Sequence, residues 1–355
     1  MRVSWTVRGM RPQLMALATT QGGLVTRRQA LQVGYTEREL RTLTAVHGPW
    51  VVVRRGVYAE RDLWESLTGY DERARLRDLA VHLTMSTAHV MSHDSAARAL
   101  EIPMLRPKAE LSHVTRHGVG GSRTERGVKH HLTRLGLLGT VDLAGMTVTG
   151  PARTAVDLAR EHGHEMGVIA CDRFLSQGGD VADLWALFGT MWCWPGSTQV
   201  RAAINLADGG AETPGESLLR LLILELDIGV PDTQFPVRLD DQVAWTDIRV
   251  GCHLFEFDGR LKYRQVAQGG VARRPVDEVV WEERKRERKV CAEGLGMSRV
   301  VWDELFGMAR QRLKQRLLAE YAVTATRFGE VLPPHLAESA ARIRAGWPRR
   351  RPSTA

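Results

Sequence analysis

Three acidic residues, Asp247, Glu256 and Asp258, have the side-chain type and the spacing needed to bind a divalent cation. Residues 252–259 alternate apolar and polar side chains as a strand does, so Glu256 and Asp258 would lie on one face of that strand. Carboxylates buried together are costly unless a cation neutralises them, and Mg²⁺ binds such oxygen ligands with water completing its shell. The spacing therefore predicts a site for Mg²⁺ or Mn²⁺.

The elements around these residues would bring further carboxylates to the site. Gly251 provides a turn between the strands that carry Asp247 and Glu256, so the two side chains would meet across a hairpin. Glu216 begins a strongly apolar helix that is predicted to run to residue 226. We expect Glu216 to be a further metal ligand.

The two ends of the chain are basic. The 355 residues include 49 Lys and Arg against 41 Asp and Glu, a formal charge of +8. Residues 1–60 hold nine arginines and three acidic residues, and residues 342–355 hold five arginines and no acidic residue. Because clustered positive charge favours a phosphate backbone, we expect a nucleic-acid partner.

The N-terminal segment has the element pattern of a DNA-binding fold. Thr26 with Gln29, and Thr36 with Glu39, have the capping-box spacing, which predicts two short helices beginning ten residues apart. A preceding apolar helical stretch, and two strands around an Arg-Arg-Gly turn within residues 50–58, complete three helices and a β-hairpin. This is the outline of a winged helix-turn-helix, whose third helix lies in the major groove.

The third helix would present arginines to double-stranded DNA. Leu40, Leu43 and Val46 are predicted to face the core, which leaves Arg38 and Arg41 pointing outward. Basic residues at a helix start or a wing tip suit phosphate contacts. The predicted DNA-binding residues are Arg27, Arg28, Arg38, Arg41, Arg54 and Arg55. The alternative is a winged helix that binds protein and whose arginines are solvated.

The middle of the chain is predicted to be a mixed α/β domain. Ser92, His93 and Asp94 have the residue types of a hydrolase triad, but chain neighbours point in different directions, so a helix N-cap is the preferred interpretation. The glycine-rich loop that begins at Gly118 lacks the Lys-Ser/Thr of a phosphate loop and is interpreted as a hairpin connection. Four nearby histidines are interpreted as partly exposed strand residues rather than metal ligands: His113, His117, His130 and His131.

The C-terminal part resembles the PD-(D/E)XK nuclease core, especially very-short-patch-repair endonucleases. The likeness runs from about Pro214 to Leu305 and includes Glu-Ser-Leu-Leu-Arg, Glu-Phe-Asp-Gly-Arg-Leu-Lys-Tyr, Trp-Glu-Glu-Arg-Lys-Arg-Glu-Arg and Val-Val-Trp-Asp-Glu-Leu. The resemblance implies that Asp247 and Glu256 are metal ligands and that the metal activates water against a phosphodiester.

One position departs from the nuclease pattern. The usual lysine two residues after the second acid is Asp258 here. Lys262 is the first expected substitute for it, and Lys285 is the second. The predicted catalytic set is therefore Asp247, Glu256, Asp258 and Lys262. The alternative is an inactive nuclease fold that binds DNA or a partner without cutting.

The N-terminal half resembles the AbiEi family of type IV toxin-antitoxin antitoxins. The likeness spans roughly residues 10–175 and rests on Gly-Leu-Val-Thr-Arg-Arg-Gln-Ala-Leu, Arg-Arg-Gly-Val-Tyr, Ser-His-Asp-Ser-Ala-Ala and Thr-Gly-Pro-Ala-Arg-Thr-Ala-Val-Asp-Leu-Ala. In that family a winged helix represses its own promoter, which implies a DNA-reading role for Arg38 and Arg41 and a cognate toxin as partner. The fused nuclease-like segment departs from a simple antitoxin.

These observations predict a multi-domain α/β protein of the cytoplasm with no membrane span. The four cysteines lack the short spacing of a zinc or thiol-exchange pair. The expected function is DNA binding with a metal-dependent endonuclease-like module, in phage or mobile-element defence; the alternative is an autorepressor or antitoxin with an inactive nuclease fold. The predicted domains are a winged helix (1–62), an α/β middle domain (63–208), a nuclease-like domain (209–332) and a flexible basic tail (333–355).

Overall fold

The fold is that of a mixed α/β protein. The computed structural model describes residues 10–133, 139–143, 145–191, 193–239, 242–259, 285 and 287–346. The chain divides into two units, with the boundary between Glu161 and His162. The predicted middle domain, residues 63–208, is thereby shared between the units, with its strands in the first and its last three helices in the second.

Unit 1 begins with three helices and a three-stranded antiparallel sheet of order β1-β3-β2. Their bounds are α1 Pro12–Thr20, β1 Leu24–Thr26, α2 Arg27–Gln32, α3 Glu37–Leu43, β2 Trp50–Arg54 and β3 Val57–Glu60. Both predicted capping boxes are present, at Thr26 with Gln29 and at Thr36 with Glu39. The helices and sheet enclose a core that includes Leu14, Ala30, Leu40 and Trp50.

Val46 does not face this core, contrary to the sequence prediction. Its side chain is 82% exposed. Helix α3 ends at Leu43, with Thr44 as its C-cap, so the helical periodicity that would turn Val46 inward stops three residues earlier. Leu43 does pack against the core.

The rest of unit 1 is a six-stranded sheet with helices, in the order β6-β7-β5-β4-β9-β8. Its elements are α4 Arg61–Ser66, α5 Tyr70–Thr84, β4 Val90–Met91, α6 His93–Ala99, β5 Ser112–Thr115, β6 Arg123–Glu125, β7 Val128–His131, β8 Thr140–Leu143, β9 Met146–Thr149 and α7 Pro151–His162. β5 and β7 are parallel neighbours. The loop at Gly118 therefore leads to the edge strand β6 and does not connect hairpin partners, which corrects its predicted role.

Unit 2 contains a four-stranded sheet of order β10-β11-β12-β13, in which only the β12–β13 pair is parallel. Its elements are α8 His164–Ser176, α9 Val181–Gly189, α10 Ser197–Leu206, α11 Pro214–Leu226, β10 Asp232–Leu239, β11 Gln242–Val250, β12 His253–Asp258, β13 Gly296–Val301, a 3₁₀ turn Trp302–Leu305, α12 Gly307–Phe328 and α13 Pro334–Gly346. Residues 287–292 are also helical. From α11 onward, the chain therefore forms a helix, three antiparallel strands, a helical segment and a fourth strand that is parallel to the third.

A buried carboxylate on α8 links this helix to α11, the helix that precedes the four-stranded sheet in the chain. Asp172 of α8 accepts hydrogen bonds from Ser217 Oγ at 2.8 Å and from Arg220 Nη2 at 2.9 Å, both on α11. It also accepts a bond from the backbone N–H of Asp208 at 2.7 Å. These bonds explain why α8 belongs with α11 although the sequence suggested a boundary at residue 208.

The end of the chain is partly helical, which corrects the predicted flexible tail. α13 occupies residues 334–346 of the segment expected to be a tail. Leu336 and Ala340 are buried in one core with Phe235 and Leu254. Apolar side chains at helical spacing, which sequence inspection overlooked beside the prolines and arginines, explain the order of this segment.

None of the helices in the described part of the chain combines the length and apolar character that crossing a membrane requires.

Candidate metal and nucleic-acid sites

The carboxylates of Asp247 and Glu256 lie on adjacent antiparallel strands. β11 and β12 pair with Ile248 opposite Phe255, and the same register continued by one residue sets Asp247 opposite Glu256. Asp247 Oδ2 accepts a 2.7 Å hydrogen bond from the backbone N–H of Phe257. Glu256 is 9% exposed. The register is therefore compatible with the predicted pairing of the two carboxylates, whose role as metal ligands stays a prediction.

The fourth strand adds a positive charge beside this pair. Parallel pairing of β12 and β13 sets Glu256 opposite Arg299 and Asp258 opposite Val301. Arg299 also forms a 3.4 Å ion pair with Glu287 on the helical segment. The face of β12 that carries Glu256 and Asp258 therefore lies beside a guanidinium group.

Glu216 has hydrogen-bond partners of its own, and its predicted role as a metal ligand stays a prediction. Both of its carboxylate oxygens accept hydrogen bonds from its own helix start, one from the N–H of Glu212 and one from Thr213 Oγ1, each at 2.8 Å. Among the described residues, Glu216, Asp247 and Glu256 do not form a group whose ligand atoms all lie within 4.8 Å. These two hydrogen bonds engage the Glu216 carboxylate at the start of α11.

Of the two lysines proposed as substitutes, the structure describes only Lys285. Lys262 lies outside the described residues, so its predicted role is untouched by the geometry. Lys285 is helical and exposed.

The predicted DNA-reading helix presents its arginines to solvent. Arg38 and Arg41 of α3 are exposed, while Leu40 between them is 3% exposed and faces the core. The N-terminal turn of α3 is fixed by Thr36, whose hydroxyl accepts the N–H of Glu39. A rigid, capped helix with two outward guanidinium groups is suited to contact base edges.

The other four arginines predicted to contact phosphate differ in their exposure and in their protein partners. Arg28 and Arg55 are exposed. Arg27 instead forms an ion pair with Glu37 across the two capped helices. Arg54 donates to the backbone carbonyl of Arg126 at 3.1 Å, and burial together with the charge of Arg126 lowers its pKa.

A cleft of about 480 Å³ opens beside this wing within unit 1. The arginines that line it are Arg54, Arg55, Arg77, Arg98 and Arg126. Asp78 and Glu110 also line it, and they pair with Arg98 and Arg77. The positive character of the wing therefore extends into the cleft.

Three histidines of unit 1 lie together in its interior: His93 at the start of α6, His113 in β5 and His131 at the end of β7. One nitrogen of each ring lies within 4.8 Å of the others. The residues are 2%, 1% and 8% exposed, respectively. Within the described residues, this is the one group of three His, Cys, Asp or Glu side chains that comes so close. We call it the histidine cluster.

The rings of the histidine cluster contact one another directly. His113 Nδ1 lies 3.1 Å from His131 Nε2. The His93 and His131 rings stack with centroids 3.7 Å apart and planes inclined by 12°. Burial lowers the pKa of His131 to about 4 and that of His93 well below its usual value, so these two rings are neutral at pH 7.

Carboxylates surround the histidine cluster. Asp94 Oδ2 lies 3.8 Å from His113 Nε2, and Asp157 Oδ1 lies 3.9 Å from His93 Nε2. Asp157 in turn accepts a 2.9 Å bond from Arg153 Nε, the pairing expected from their spacing along the helix. Both carboxylates are fully buried.

The sequence did not predict the histidine cluster. Ser92 does precede α6, but its side chain makes no capping bond; its Oγ accepts from Thr115 Oγ1 at 2.8 Å and lies 3.0 Å from His93 Nδ1. His113 and His131 are buried rather than partly exposed. The parallel pairing of β5 with β7 brings His113 and His131 together, and no local sequence pattern predicts that pairing.

No known protein-family model matches the chain, and no curated protein shows significant similarity to it.

Proposed function

We propose that the protein binds double-stranded DNA through its winged helix and cleaves phosphodiester bonds at a divalent metal held by Asp247 and Glu256. The observation that supports the nuclease proposal is the β11–β12 register, which, continued by one residue beyond Ile248 and Phe255, would bring Asp247 beside Glu256 on a sheet whose fourth strand is parallel. The exposed arginines of α3 carry the DNA-binding proposal.

The donor set suits Mg²⁺. This ion commonly uses one or two protein carboxylates and keeps several waters, so the pair Asp247 and Glu256 suffices without Glu216. The Phe257 N–H holds Asp247 in place, and Arg299 lies opposite Glu256 in the β12–β13 register. When bound, the ion would polarise a phosphate and lower the pKa of a water.

The DNA-binding proposal predicts distinct effects for two sets of arginines. Replacing Arg38 and Arg41 together by Ala should weaken duplex binding by about 1–3 kcal/mol per lost base contact and relax sequence preference. Arg55→Ala should leave sequence preference intact and reduce the salt slope by about 1. Fluorescence anisotropy at several salt concentrations measures both quantities.

A matched control is Arg201→Ala combined with Arg342→Ala, which removes the same charge from exposed positions of unit 2. Equal loss of affinity in this control and in the α3 variant would mean that net charge alone drives binding. Unchanged affinity in the α3 variant would refute the DNA-reading role of the helix.

The nuclease proposal predicts that Glu256→Gln abolishes cleavage. The substitution keeps the shape of the side chain but removes the ligand charge, so metal-dependent cutting of plasmid and single-stranded substrates should fall below detection. Glu293→Gln, at an exposed position, should cut as the wild type does. Cleavage by Glu256→Gln at the wild-type rate would contradict the assignment.

A second candidate function is a DNA-binding autorepressor or antitoxin with an inactive nuclease fold. The observation that favours it is Asp258, an acid where a nuclease of this kind has lysine. The resemblance to AbiEi antitoxins supports a cognate toxin as its partner. Under this alternative Mg²⁺ raises the melting temperature of the wild type more than that of Glu256→Gln, but no cleavage is detected with any divalent metal.

A further inference from the structure

We propose that His93, His113 and His131 form a binding site for a divalent transition-metal ion, with zinc the expected occupant. This site lies in unit 1, involves none of the carboxylates assigned to the nuclease, and is independent of the proposed function. Three imidazole nitrogens within 4.8 Å of one another supply the number of protein ligands that an open zinc site uses.

The spacing of two rings already matches that of ligands on one ion. Zinc binds imidazole nitrogen at about 2.0–2.1 Å in tetrahedral geometry, so two ligand nitrogens lie roughly 3.3 Å apart. His113 Nδ1 and His131 Nε2 are 3.1 Å apart. Without an ion, the N–H of one ring is donated to the lone pair of the other; with an ion, both nitrogens would direct their lone pairs at the metal and each ring would carry its proton on its other nitrogen.

The surroundings provide the outer partners that histidine ligands use. A metal-bound imidazole commonly directs its other nitrogen toward a carboxylate, which fixes the ring and strengthens it as a donor. With His113 binding through Nδ1, its Nε2 faces Asp94 Oδ2 at 3.8 Å. Asp157 Oδ1 lies 3.9 Å from His93 Nε2, and Arg153 holds that carboxylate in place. The other His93 nitrogen, Nδ1, lies 3.0 Å from Ser92 Oγ.

The backbone at His93 is also unusual. Its φ of +49° lies in the left-handed region, which few residues other than glycine adopt, although histidine does so more often than most. This conformation at the first residue of α6 aims the ring at β5 and β7. A conformation of this kind persists where the surrounding structure requires the position of a particular side chain.

Binding of one ion by all three residues requires a local change. The His93 and His131 rings are nearly parallel, and lone pairs that lie in parallel planes cannot converge on one point. One of the two rings must therefore turn about its side-chain torsions when the ion binds. His131 has the greatest exposure of the three, at 8%.

Zinc retention by the full chain tests the proposal. The chain is stripped with a chelator, loaded with zinc chloride and desalted, and bound zinc is measured by mass spectrometry. We expect about one zinc per chain in the wild type, with at least ~10-fold less in His113→Gln and in His131→Asn. His117→Ala, at an exposed position of the same region, should retain the wild-type amount. Glu256→Gln should also retain it, which separates this site from the nuclease carboxylates.

Cobalt substitution identifies the ligands. Tetrahedral Co²⁺ bound to imidazoles gives visible absorption without the near-ultraviolet charge-transfer band of a thiolate, so that band would point to the cysteines instead and overturn the proposal. Failure of the wild type to retain zinc would also overturn it, as would retention by His113→Gln and His131→Asn at the wild-type level. Equal loss in His117→Ala would indicate adventitious surface binding and count against the site.

Discussion

His253 shows how one buried imidazole fixes a strand to a helix. Its Nδ1 lies 2.6 Å from Thr324 Oγ1 on α12, and its Nε2 lies 2.8 Å from Ser298 Oγ on β13. Ser298 in turn donates to the carboxylate of Glu320. Burial lowers the pKa of His253 to about 4, although the charge of Glu320 acts in the opposite direction.

This lowered pKa predicts a pH dependence of stability. The unfolded chain protonates His253 near pH 6.5, whereas the folded chain resists protonation until about pH 4, so the unfolded state takes up more protons as the pH falls. The stability contribution is complete above pH 6.5 and is lost progressively toward pH 4, on the order of 2 kcal/mol by pH 5.

Urea unfolding of the wild type and of His253→Gln at pH 7 and pH 5 measures this effect. The variant should lose less stability than the wild type between the two values. His335→Gln, which changes an exposed histidine, should lose as much as the wild type. Identical pH dependence in wild type and His253→Gln would contradict the prediction.

At the level of elements, the start of α11 packs closely against the strand that carries Glu256. A Cβ atom added at Gly215 would lie 2.1 Å from the ring of Phe257. Phe257 also provides the N–H that holds Asp247. The absence of a side chain at one helix position therefore supports the geometry of the proposed metal site.

Gly215→Ala should destabilise unit 2 by about 1–3 kcal/mol because the ring must move to avoid the new methyl group. We also expect weaker Mg²⁺ stabilisation, since moving Phe257 disturbs Asp247. Thermal unfolding with and without Mg²⁺ measures both effects. Gly189→Ala, which meets nothing within 4 Å, is the matched control. If both variants melt alike, the close contact does not restrict the position.

Local signals in the sequence predicted local structure well. The two capping boxes appear where Thr26 and Thr36 indicated, and the alternation around Glu256 forms β12. Capping and alternation are decided within a few residues, so they can be read without the fold. The pair Asp247 and Glu256 was predictable because a single tight turn sets its register.

Contacts between residues that are far apart in the chain could not be predicted from the sequence. The histidine cluster needs β5 and β7 to lie side by side in parallel. In unit 2, the hydrogen bonds that Glu216 accepts at the start of α11 compete with a role of Glu216 as a metal ligand. The spacing of Glu216 is equally consistent with a cap and with a metal ligand. Only the packed structure distinguishes these alternatives.

For the whole molecule, the C-terminal helix is part of the fold. α13 contributes Leu336 and Ala340 to the core that contains Leu254 of the site strand. Arg344 near its end forms a 2.7 Å ion pair with Asp232 at the start of β10. Unit 2 therefore depends on residues far beyond the last nuclease-like motif.

Truncation tests this dependence. Removal of residues 334–355 should destabilise unit 2 by several kcal/mol, since each large buried side chain contributes roughly 1.5–3 kcal/mol. Removal of residues 347–355 alone should leave the urea midpoint unchanged, because the core residues of α13 are retained. The comparison fails if both truncations unfold at the same midpoint.

Arg344 has another consequence, which concerns contacts between molecules. β10 is an edge strand, and an edge with open backbone groups can recruit a strand from another chain. Arg344 donates to the carbonyls of Thr233 and Gln234, and Gln234 adopts a left-handed φ of +49° that interrupts the regular edge. We therefore expect Arg344 to protect this edge from intermolecular strand pairing, and Arg344→Ala to aggregate at concentrations where the wild type stays dispersed, which light scattering measures.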